Sequence, residues 1–301
     1  MEKTIEFPKK QVPGYFRYML GDYEITSIYD GYMFIDTDLY CRQEKEKNRE
    51  QLEKGFAETV AEDGKVFTKL PLTIHLINTK KDLILIDAGG GEGGLLGPYM
   101  GLSRENIILS GYKPEDVTKI LLTHLHQDHL GGMVIDGKLI YPNADIYINQ
   151  EELDFWLDEK NHHELLTNAL EPYIRNNKVK SFRAGEEIDG IKTIGLPGHT
   201  PGHTGYEVSS NGDSILFWGD IVHDHEIQFA NRDAALVFVD YDENIEIIEQ
   251  EVETGKAALK MAVKNKKLIG ASHLPFPGIG HVIENGAGGY HWIPVHYSVL
   301  D

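Results

Sequence analysis

The sequence predicts an α/β protein built as one domain. Three features indicate this class: short apolar runs typical of buried strands, helical patterns between them, and polar residues of metal-ligand type where several strands end. The chain has 301 residues, which is enough for one large core. No linker, low-complexity tract or proline-rich spacer divides it. We therefore expect a single domain over residues 1–301.

The first half of the chain predicts strands, each of them tied to a local signal. An N-terminal arm, about residues 1–30, includes the aromatic stretch 13–20 (PGYFRYML). Residues 44–62 are charged and predict a helical surface excursion. The runs 72–78 and 83–86 predict a hairpin. Ser103 is an N-cap residue type and predicts a helix that ends near Gly111. Residues 118–122 then predict a short buried strand.

The second half alternates strands and helices. Residues 144–148 predict a strand, and residues 151–176 predict helices that would lie beside the site. Asp242 is predicted to begin a long amphipathic helix, because apolar residues recur along one face after it. Gly255 lies in the middle of that helix and costs about 1 kcal/mol relative to alanine, so the helix could bend there.

The most informative feature is the segment 123–129 (THLHQDH), which holds His124, His126, Asp128 and His129. Isolated histidines are most often structural, as we expect for His75. Three imidazoles and a carboxylate this close are costly as ordinary structure. Neutral imidazole and ionised carboxylate are ligands that zinc-like ions prefer. The segment therefore predicts a metal site at the end of a strand.

Three distant residues complete the candidate ligand set. Asp220 and His273 each follow an apolar run and small residues, and His199 follows a strand and a Pro-Gly turn. Strand ends that meet at one edge of a sheet can build a site from distant parts of a chain. A closed structural zinc site needs only four ligands, so seven candidates suit two metal ions.

Two ions about 3.5–4 Å apart can hold one water and lower its pKa toward roughly 7, which makes a nucleophilic hydroxide. We assign the seven residues to two ions as follows: His124, His126 and His199 to the first metal, Asp128, His129 and His273 to the second, and Asp220 as a bridge. Asp128 could also move a proton. Donor atoms of this kind accept zinc, manganese, iron or cobalt, with zinc expected.

The pattern His-x-His-x-Asp-His, followed by a distant His, Asp and His, resembles the metallo-β-lactamase superfamily. The resemblance covers about residues 72–273 and includes Gly131 and Gly132 after the ligand segment. It implies a four-layer αβ/βα sandwich with a dinuclear site along one edge of its two sheets. It also implies that Asp87, at the end of a strand, supports the ligands by hydrogen bonds.

Three segments are similar to methyl parathion hydrolase and its relatives: 21–31 (GDYEITSIYDG), 219–223 (GDIVH) and 273–281 (HLPFPGIGH). The likeness runs nearly from one end of the chain to the other. That branch hydrolyses organophosphate triesters, aryl esters and lactones, and is usually dimeric, which implies a homodimer. Its aromatic leaving-group pocket carries over by spacing. Trp156 matches a pocket tryptophan, whereas Tyr173 and Leu96 stand where the family has phenylalanines.

The acyl-homoserine lactonases resemble this chain in all seven ligands. They usually carry a tyrosine three residues after the bridging aspartate, where this chain has His223. An imidazole can bind substrate or transfer a proton near neutral pH. The alternative is that His223 only orients a ligand. We consider both roles.

These features predict a dinuclear hydrolase of neutral esters or lactones that carry hydrophobic or aromatic groups, with organophosphate triesters as promiscuous substrates. The altered pocket residues make an ester or lactone at least as suitable as a phosphotriester. Two alternatives stay open at this point: an acyl-homoserine lactonase that quenches quorum signals, and a non-enzymatic metal-binding module. Metal stoichiometry and turnover of an aryl ester distinguish the enzyme from the module.

Composition narrows the partners. Lysine and arginine total 29 and aspartate and glutamate total 48, so the net charge is −19. Such a surface repels nucleic acid and anionic membranes, which leaves a small-molecule substrate. No apolar run reaches 18 residues, and no signal-peptide core is visible at the N-terminus. Cys41 alone cannot form an intramolecular disulfide. We therefore expect a cytoplasmic protein.

Overall fold

The computed structural model describes residues 11–92, 96–161, 164–236 and 245–300. In these residues the strands are β1 (Tyr15–Leu20), β2 (Tyr23–Asp36), β3 (Tyr40–Cys41), β4 (Thr59–Glu62), β5 (Lys65–Asn78), β6 (Leu83–Ile86), β7 (Lys119–Leu121), β8 (Val134–Ile135), β9 (Lys138–Leu139), β10 (Asp145–Asn149), β11 (Val179–Phe182), β12 (Glu187–Ile188), β13 (Ile191–Gly195), β14 (Thr204–Ser210), β15 (Asp213–Phe217), β16 (Ala235–Leu236), β17 (Leu268–Gly270), β18 (Ile279–Glu284) and β19 (Tyr290–Pro294). The helices are α1 (Lys45–Lys54), α2 (Ser103–Leu109), α3 (Gln127–Leu130), α4 (Gln150–Trp156), α5 (Glu164–Arg175), α6 (His225–Gln228) and α7 (Ile245–Lys264), and 3₁₀ turns cover Thr37–Leu39, Pro114–Asp116 and Gly131–Met133.

Two large sheets organise these elements. The first has eight strands in the order β1-β2-β5-β6-β7-β10-β11, with β4 paired to β5 beside that path. The second has seven strands in the order β12-β13-β14-β15-β17-β18-β19. Two further pairs, β3 with β16 and β8 with β9, form small antiparallel ribbons.

The sheets pack face to face, and helices cover their outer faces. One apolar cluster joins residues of both sheets, such as Ile77 and Leu121 from the first with Phe217 and Leu268 from the second. A second cluster lies between the first sheet and helices α2, α4 and α5. A third lies between the second sheet and α7. This layering is the four-layer αβ/βα sandwich that the sequence predicts.

Parallel strands lie where the site is built. In the first sheet β6, β7, β10 and β11 pair in parallel, and in the second sheet β15 pairs with β17 in parallel. All four side chains of β6 are buried, as expected for a strand covered on both faces. Because parallel strands end at the same edge, the loops after β6, β7, β15 and β17 come together.

Several expectations from the sequence meet the structure directly. The predicted hairpin is present as the antiparallel pair β5 and β6, with β5 longer than expected because it also pairs with β2. The excursion at residues 44–62 contains α1 and then β4. Helix α7 runs without a break through Gly255, and Asp242 lies outside the described residues. Among the described helices, none combines the length and apolar character that crossing a membrane requires.

Candidate metal centre

The loops that follow parallel strands carry most of the candidate ligands. His124 and His126 follow β7, and Asp128 and His129 lie on the short helix α3 directly afterwards. Three more candidates come from the second sheet: His199 between β13 and β14, Asp220 after β15, and His273 after β17. The sandwich therefore brings all seven sequence-predicted donors to one edge.

Two donor groups form there. The possible ligand atoms of His124, His126 and His199 lie within 4.8 Å of one another, and we call this set the first donor group. Its ring nitrogens are close: His126 Nδ1 lies 3.0 Å from His124 Nε2 and 2.9 Å from His199 Nε2. The second donor group consists of Asp128, His129, Asp220 and His273, whose ligand atoms are equally close.

The carboxylate of Asp220 lies between the two groups. Its Oδ2 is 3.7 Å from His124 Nε2 and 3.4 Å from His199 Nε2. The same oxygen is 3.1 Å from His273 Nε2, and Oδ1 is 3.2 Å from His129 Nε2. One carboxylate thus faces both donor groups, which is the position of a bridging ligand.

Burial and bonding test whether these residues fit metal ions. His124, His129 and Asp220 are at most 3% exposed. His129 Nε2 and Asp220 Oδ1 are buried and face each other, yet neither takes part in a hydrogen bond with a described residue. Buried polar atoms rarely lack a partner, and a cation between them would provide one. An all-nitrogen and oxygen donor set of this kind fits two divalent ions.

The pKa values follow from burial and neighbouring charge. Burial, helped by neighbouring imidazoles, holds the pKa of His124 and His199 well below its usual range. Burial also lowers the pKa of His126 to about 4. The first donor group is therefore neutral at pH 7, and neutral imidazole is the form that binds metal.

In the second group burial is outweighed by charge. Burial alone would lower the pKa of His273, but Asp220 and Asp128 raise it to about 10. The carboxyl of Asp220 shows the converse: burial would raise its pKa, but the adjacent histidines hold it well below its usual range. Protons on the imidazoles thus balance the buried carboxylates here, and a bound cation would replace them.

A cavity of about 780 Å³ opens onto this centre at His223 and His273. Its walls come from the segment before β1, the middle of β2, the loop after α1, β5, helix α2, the start of helix α6 and the loop after β17. Much of the lining is apolar or aromatic: Val12, Pro13, Tyr29, Phe56, Ala57, Pro71, Leu102, Leu109, Pro275 and Phe276. A largely apolar pocket, suited to the organic part of a substrate, therefore lies beside the two donor groups.

The comparisons with known proteins identify the family. The model of the metallo-beta-lactamase superfamily matches residues 68–259. The chain belongs to the metallo-beta-lactamase superfamily. It is a metal-dependent hydrolase of that superfamily, with a dinuclear site, as the sequence predicts.

Solved structures and curated relatives agree with this membership. The crystal structure of the hydrolase AbOPH is similar with a TM-score of 0.86 and 38% identity, covering 96% of this chain and 100% of that one. The structure of AidC, a dizinc quorum-quenching lactonase with its product N-hexanoyl-L-homoserine, is similar with a TM-score of 0.80 and 27% identity, covering 95% and 99%. An N-acyl homoserine lactonase from Bacillus sp. is 25% identical over 205 residues, which are 60% of this chain and 78% of the relative.

Hydrogen bonds hold several of the superfamily's ligand-type residues in this chain. Asp87 accepts from His129 Nδ1 at 2.9 Å, as the sequence predicts, and from the backbone N–H of Thr123 at 2.8 Å. The backbone carbonyl of Pro71 accepts from His273 Nδ1 at 2.8 Å, which directs Nε2 of His273 into the site. A partner on the far nitrogen fixes the tautomer and the ring orientation of a ligating histidine.

The sequence interpretation missed His203 and Glu152. His203 is buried, donates from Nδ1 to the Leu196 carbonyl at 3.0 Å, and accepts at Nε2 from the backbone N–H of Asp220 at 3.0 Å. It therefore holds the backbone of the bridging residue. Its place in the motif 196–204 (LPGHTPGHT), four residues after His199, was a signal that could have found it. Glu152 had no such signal, since the loop residues that bond to it, Leu125, Thr200 and Gly202, are distant in sequence.

The predicted substrate residues lie elsewhere than expected. Trp156 is 1% exposed, and its indole nitrogen donates to Glu152 at 2.7 Å. Tyr173 is fully buried, and its hydroxyl donates to the Met133 carbonyl at 3.0 Å. Neither lines the cavity, because each ring packs in the core between the first sheet and its helices. Leu96 is half-buried, lies next to Gly90, and is not among the residues that line the cavity.

His223 occupies a different position. It is 1% exposed, its Nε2 lies 3.2 Å from Asp220 Oδ2, and its ring stacks on His273 with 5.4 Å between centroids. Together with His199 and Asp220 it forms a third set of close donor atoms. His223 also lines the cavity, so it lies between the two donor groups and any substrate bound there.

Proposed function

We propose that this chain hydrolyses neutral esters or lactones that carry a hydrophobic or aromatic group. We further propose that two divalent ions, zinc by preference, are held by the seven donors His124, His126, Asp128, His129, His199, Asp220 and His273. The observation that carries the proposal is the cavity of about 780 Å³ that ends at His223 and His273. A substrate whose organic group fills this cavity would place its ester carbonyl at the donors.

The cavity walls favour an aromatic or alkyl group. Tyr29 and Phe276 meet edge to face with 5.7 Å between ring centroids. Phe56 is 93% exposed, and Leu102 and Leu109 are 40% and 44% exposed, so these side chains offer apolar surface that a ligand could cover. Burying apolar surface yields roughly 25 cal/mol per Å², which is the driving force expected for such substrates.

Charge in the cavity disfavours anionic substrates. Four carboxyl side chains line it, those of Glu58, Glu105, Asp224 and Glu226, and the lining includes one lysine, Lys69. Lys69 is itself paired with Glu58, with 3.0 Å between Nζ and Oε1. A carboxylate or phosphate on the organic group of a substrate would meet Glu105 and the other carboxyl groups of the cavity wall, whereas a neutral ester or phosphotriester carries no charge for them to repel.

The chain's own residues would prepare the reaction. Bound ions would supply a water of lowered pKa and polarise the substrate oxygen. Asp87 orients His129 toward the other donors of the second group, and His203 holds the backbone of Asp220 in place. The buried donor side chains need little rearrangement during turnover, which favours electrostatic stabilisation of developing charge.

Proton transfer is proposed for His223 and Asp128. His223 lines the cavity and has its Nε2 3.2 Å from Asp220 Oδ2, so it is placed to donate to a departing alkoxide. Asp128 has its Oδ2 3.3 Å from His273 Nε2 and is the more exposed carboxylate of the centre, with 14% of its side chain accessible, so it can exchange a proton with solvent. We expect His223→Ala to lower kcat while both ions stay bound. Unchanged kcat, KM and metal content would remove His223 from the reaction.

The function is tested by a substrate panel on protein whose metal content has been measured. Aryl esters, lactones of increasing chain length and phosphotriesters are assayed with the wild-type chain, with Asp220→Asn, and after chelation. We expect turnover of neutral esters or lactones, loss on chelation, and recovery when zinc returns. Full activity after thorough removal of metal would contradict the proposal.

Two narrower activities are tested by the same panel. Phosphotriester hydrolysis is favoured by the aromatic lining of a cavity that suits uncharged substrates, and by the 38% identity to AbOPH. Hydrolysis of N-acyl homoserine lactones is favoured by the similarity to AidC and to the Bacillus lactonases. Preference for the acylated lactones over simple lactones of equal length would select the latter. A homodimer and a cytoplasmic location stay predictions, to be measured by light scattering and by cell fractionation.

A further inference from the structure

Glu152 is a buried carboxylate that is not one of the seven donors. It lies on α4 and is 1% exposed. Its two oxygens accept four hydrogen bonds. Oε1 accepts from the backbone N–H of Leu125 at 3.0 Å and from the indole N–H of Trp156 at 2.7 Å. Oε2 accepts from the hydroxyl of Thr200 at 2.7 Å and from the backbone N–H of Gly202 at 2.9 Å.

The two oxygens hold two different loops. Leu125 lies between His124 and His126 in the loop after β7, which belongs to the first sheet. Thr200 and Gly202 follow His199 in the loop between β13 and β14, which belongs to the second sheet. One side chain therefore connects the two loops that carry the whole first donor group.

The contact between α4 and the second loop is close. A Cβ atom at Gly202 would lie 2.3 Å from the backbone nitrogen of Glu152, so only glycine allows this approach. Asn149 supports it, because its Nδ2 donates to the Gly202 carbonyl at 3.1 Å. The helix start and the loop are thus fixed to each other at several points, with the carboxylate of Glu152 at the centre.

Trp156 belongs to the same arrangement. Its indole nitrogen bonds to Oε1 of Glu152, and its ring lies edge to face with His126 at 5.6 Å between centroids. The tryptophan therefore contacts a candidate ligand on one side and the carboxylate on the other.

We propose that Glu152 is a positioning residue that sets the distance between these two loops, and with it the spacing of the three histidines of the first donor group. The inference rests on the proposed metal centre. A glutamine at this position has one acceptor oxygen, and its NH₂ group would face either Leu125 and Trp156 or Thr200 and Gly202, so the backbone N–H of one loop would lose its acceptor. Glu152→Gln would therefore release one loop while keeping the size of the side chain.

The effect should be larger for one ion than for the other. Glu152 bonds directly to the two loops of the first donor group, whereas His129 and His273 of the second group are held by Asp87 and by the Pro71 carbonyl. Asp87 also accepts from Thr123 in the first of these loops, and His203 lies in the second, so the other ion should feel a smaller effect. Partners that orient metal ligands typically contribute about 10- to 100-fold in metal affinity. We expect Glu152→Gln to weaken the ion at the first donor group by at least about tenfold and the ion at the second group by a smaller factor.

The test compares the wild-type holoprotein with two variants whose substitutions lie at neighbouring positions of the same helix. Glu151→Gln is the matched control, because Glu151 is exposed on the same helix. Wild type, Glu151→Gln and Glu152→Gln are equilibrated with graded zinc buffers, and bound zinc per chain is measured. Cobalt-substituted samples give the visible spectrum of the histidine-rich site. We expect two tight ions in the first two proteins and one tight ion in Glu152→Gln, with the spectral change confined to it.

Two milder variants keep the proposal testable if Glu152→Gln does not fold. Thr200→Val removes one donor from Oε2, and Trp156→Phe removes one from Oε1. Each should weaken the same ion by a smaller factor. A role in stability alone would lower the melting temperature of the apoprotein without separating the two affinities. If wild type binds two ions and all three variants that change Glu152 or its partners bind both as tightly, the positioning role is wrong. If wild type binds fewer than two, the metal centre itself fails.

Discussion

Replacing Gly255 by alanine gives a prediction in which helix propensity and tertiary structure disagree in sign. Gly255 lies in the middle of α7, where alanine should stabilise the helix by about 1 kcal/mol. A Cβ atom there would lie 1.6 Å from Nη2 of Arg232 and 2.1 Å from its Cζ. The guanidinium crosses the helix where a side chain would otherwise stand, so it must leave.

The cost follows from what the guanidinium holds. Arg232 is 7% exposed, and its Nη2 donates to the carbonyl of Ile221 at 3.1 Å and to that of Glu251 at 3.4 Å, while its Nη1 donates to the carbonyl of Ala234 at 3.4 Å. Losing a buried hydrogen bond to a charged group costs about 1.5–3 kcal/mol. Subtracting the gain in helix propensity leaves a net loss of roughly 0.5–2 kcal/mol. Ile221 directly follows Asp220, so the bridging carboxylate should also become less well held.

Urea denaturation of the apoprotein measures the effect, with zinc affinity as the second readout. Ala257→Gly is the matched control, because Ala257 is exposed on the same helix and should show the propensity term alone, about 1 kcal/mol of destabilisation. The double variant Gly255→Ala/Arg232→Met has no guanidinium to clash with the alanine side chain. Its loss of stability should therefore be smaller than the sum of the losses in the two single variants. If Gly255→Ala is neutral or stabilising, the reasoning from Arg232 is refuted.

Three further predictions follow from burial and charge. Burial lowers the pKa of His75 from 6.5 to about 4, so the folded chain binds fewer protons below pH 6.5 and the stability present above that value is lost as pH falls. Between pH 7 and pH 5 the loss is about 2 kcal/mol, and His75→Gln should remove it from urea titrations; an unchanged pH slope would contradict this. Asp87→Asn puts an NH₂ group against the donors of His129 or Thr123, so zinc affinity should fall about 10- to 100-fold, and equal affinity by chelator competition would exclude the role. An aryl ester bearing a carboxylate should have kcat/KM about tenfold below its neutral analogue, and Glu105→Gln should narrow the gap; equal values for the two esters would show that cavity charge does not select substrates.

The sequence alone determined the class of fold, the family and the candidate ligands. Those residues could be identified because each follows a short predicted strand or lies in the seven-residue segment 123–129. At these places the local sequence pattern and the presence of metal-ligand residue types indicate the same site. The likeness to the superfamily then implied the layers, and both sheets and the dinuclear donor arrangement are present as expected.

Tertiary structure alone decided how those donors are held and where a substrate would lie. Trp156 and Tyr173 matched the spacing of pocket residues, yet their polar atoms bond to Glu152 and to the Met133 carbonyl in the core. Gly255 indicated a bend by propensity, whereas its missing side chain makes room for Arg232. Such contacts join residues that are 4 to 50 positions apart in the chain. Their geometry depends on how whole elements pack, and the local periodicity that identifies a strand or helix does not encode that packing.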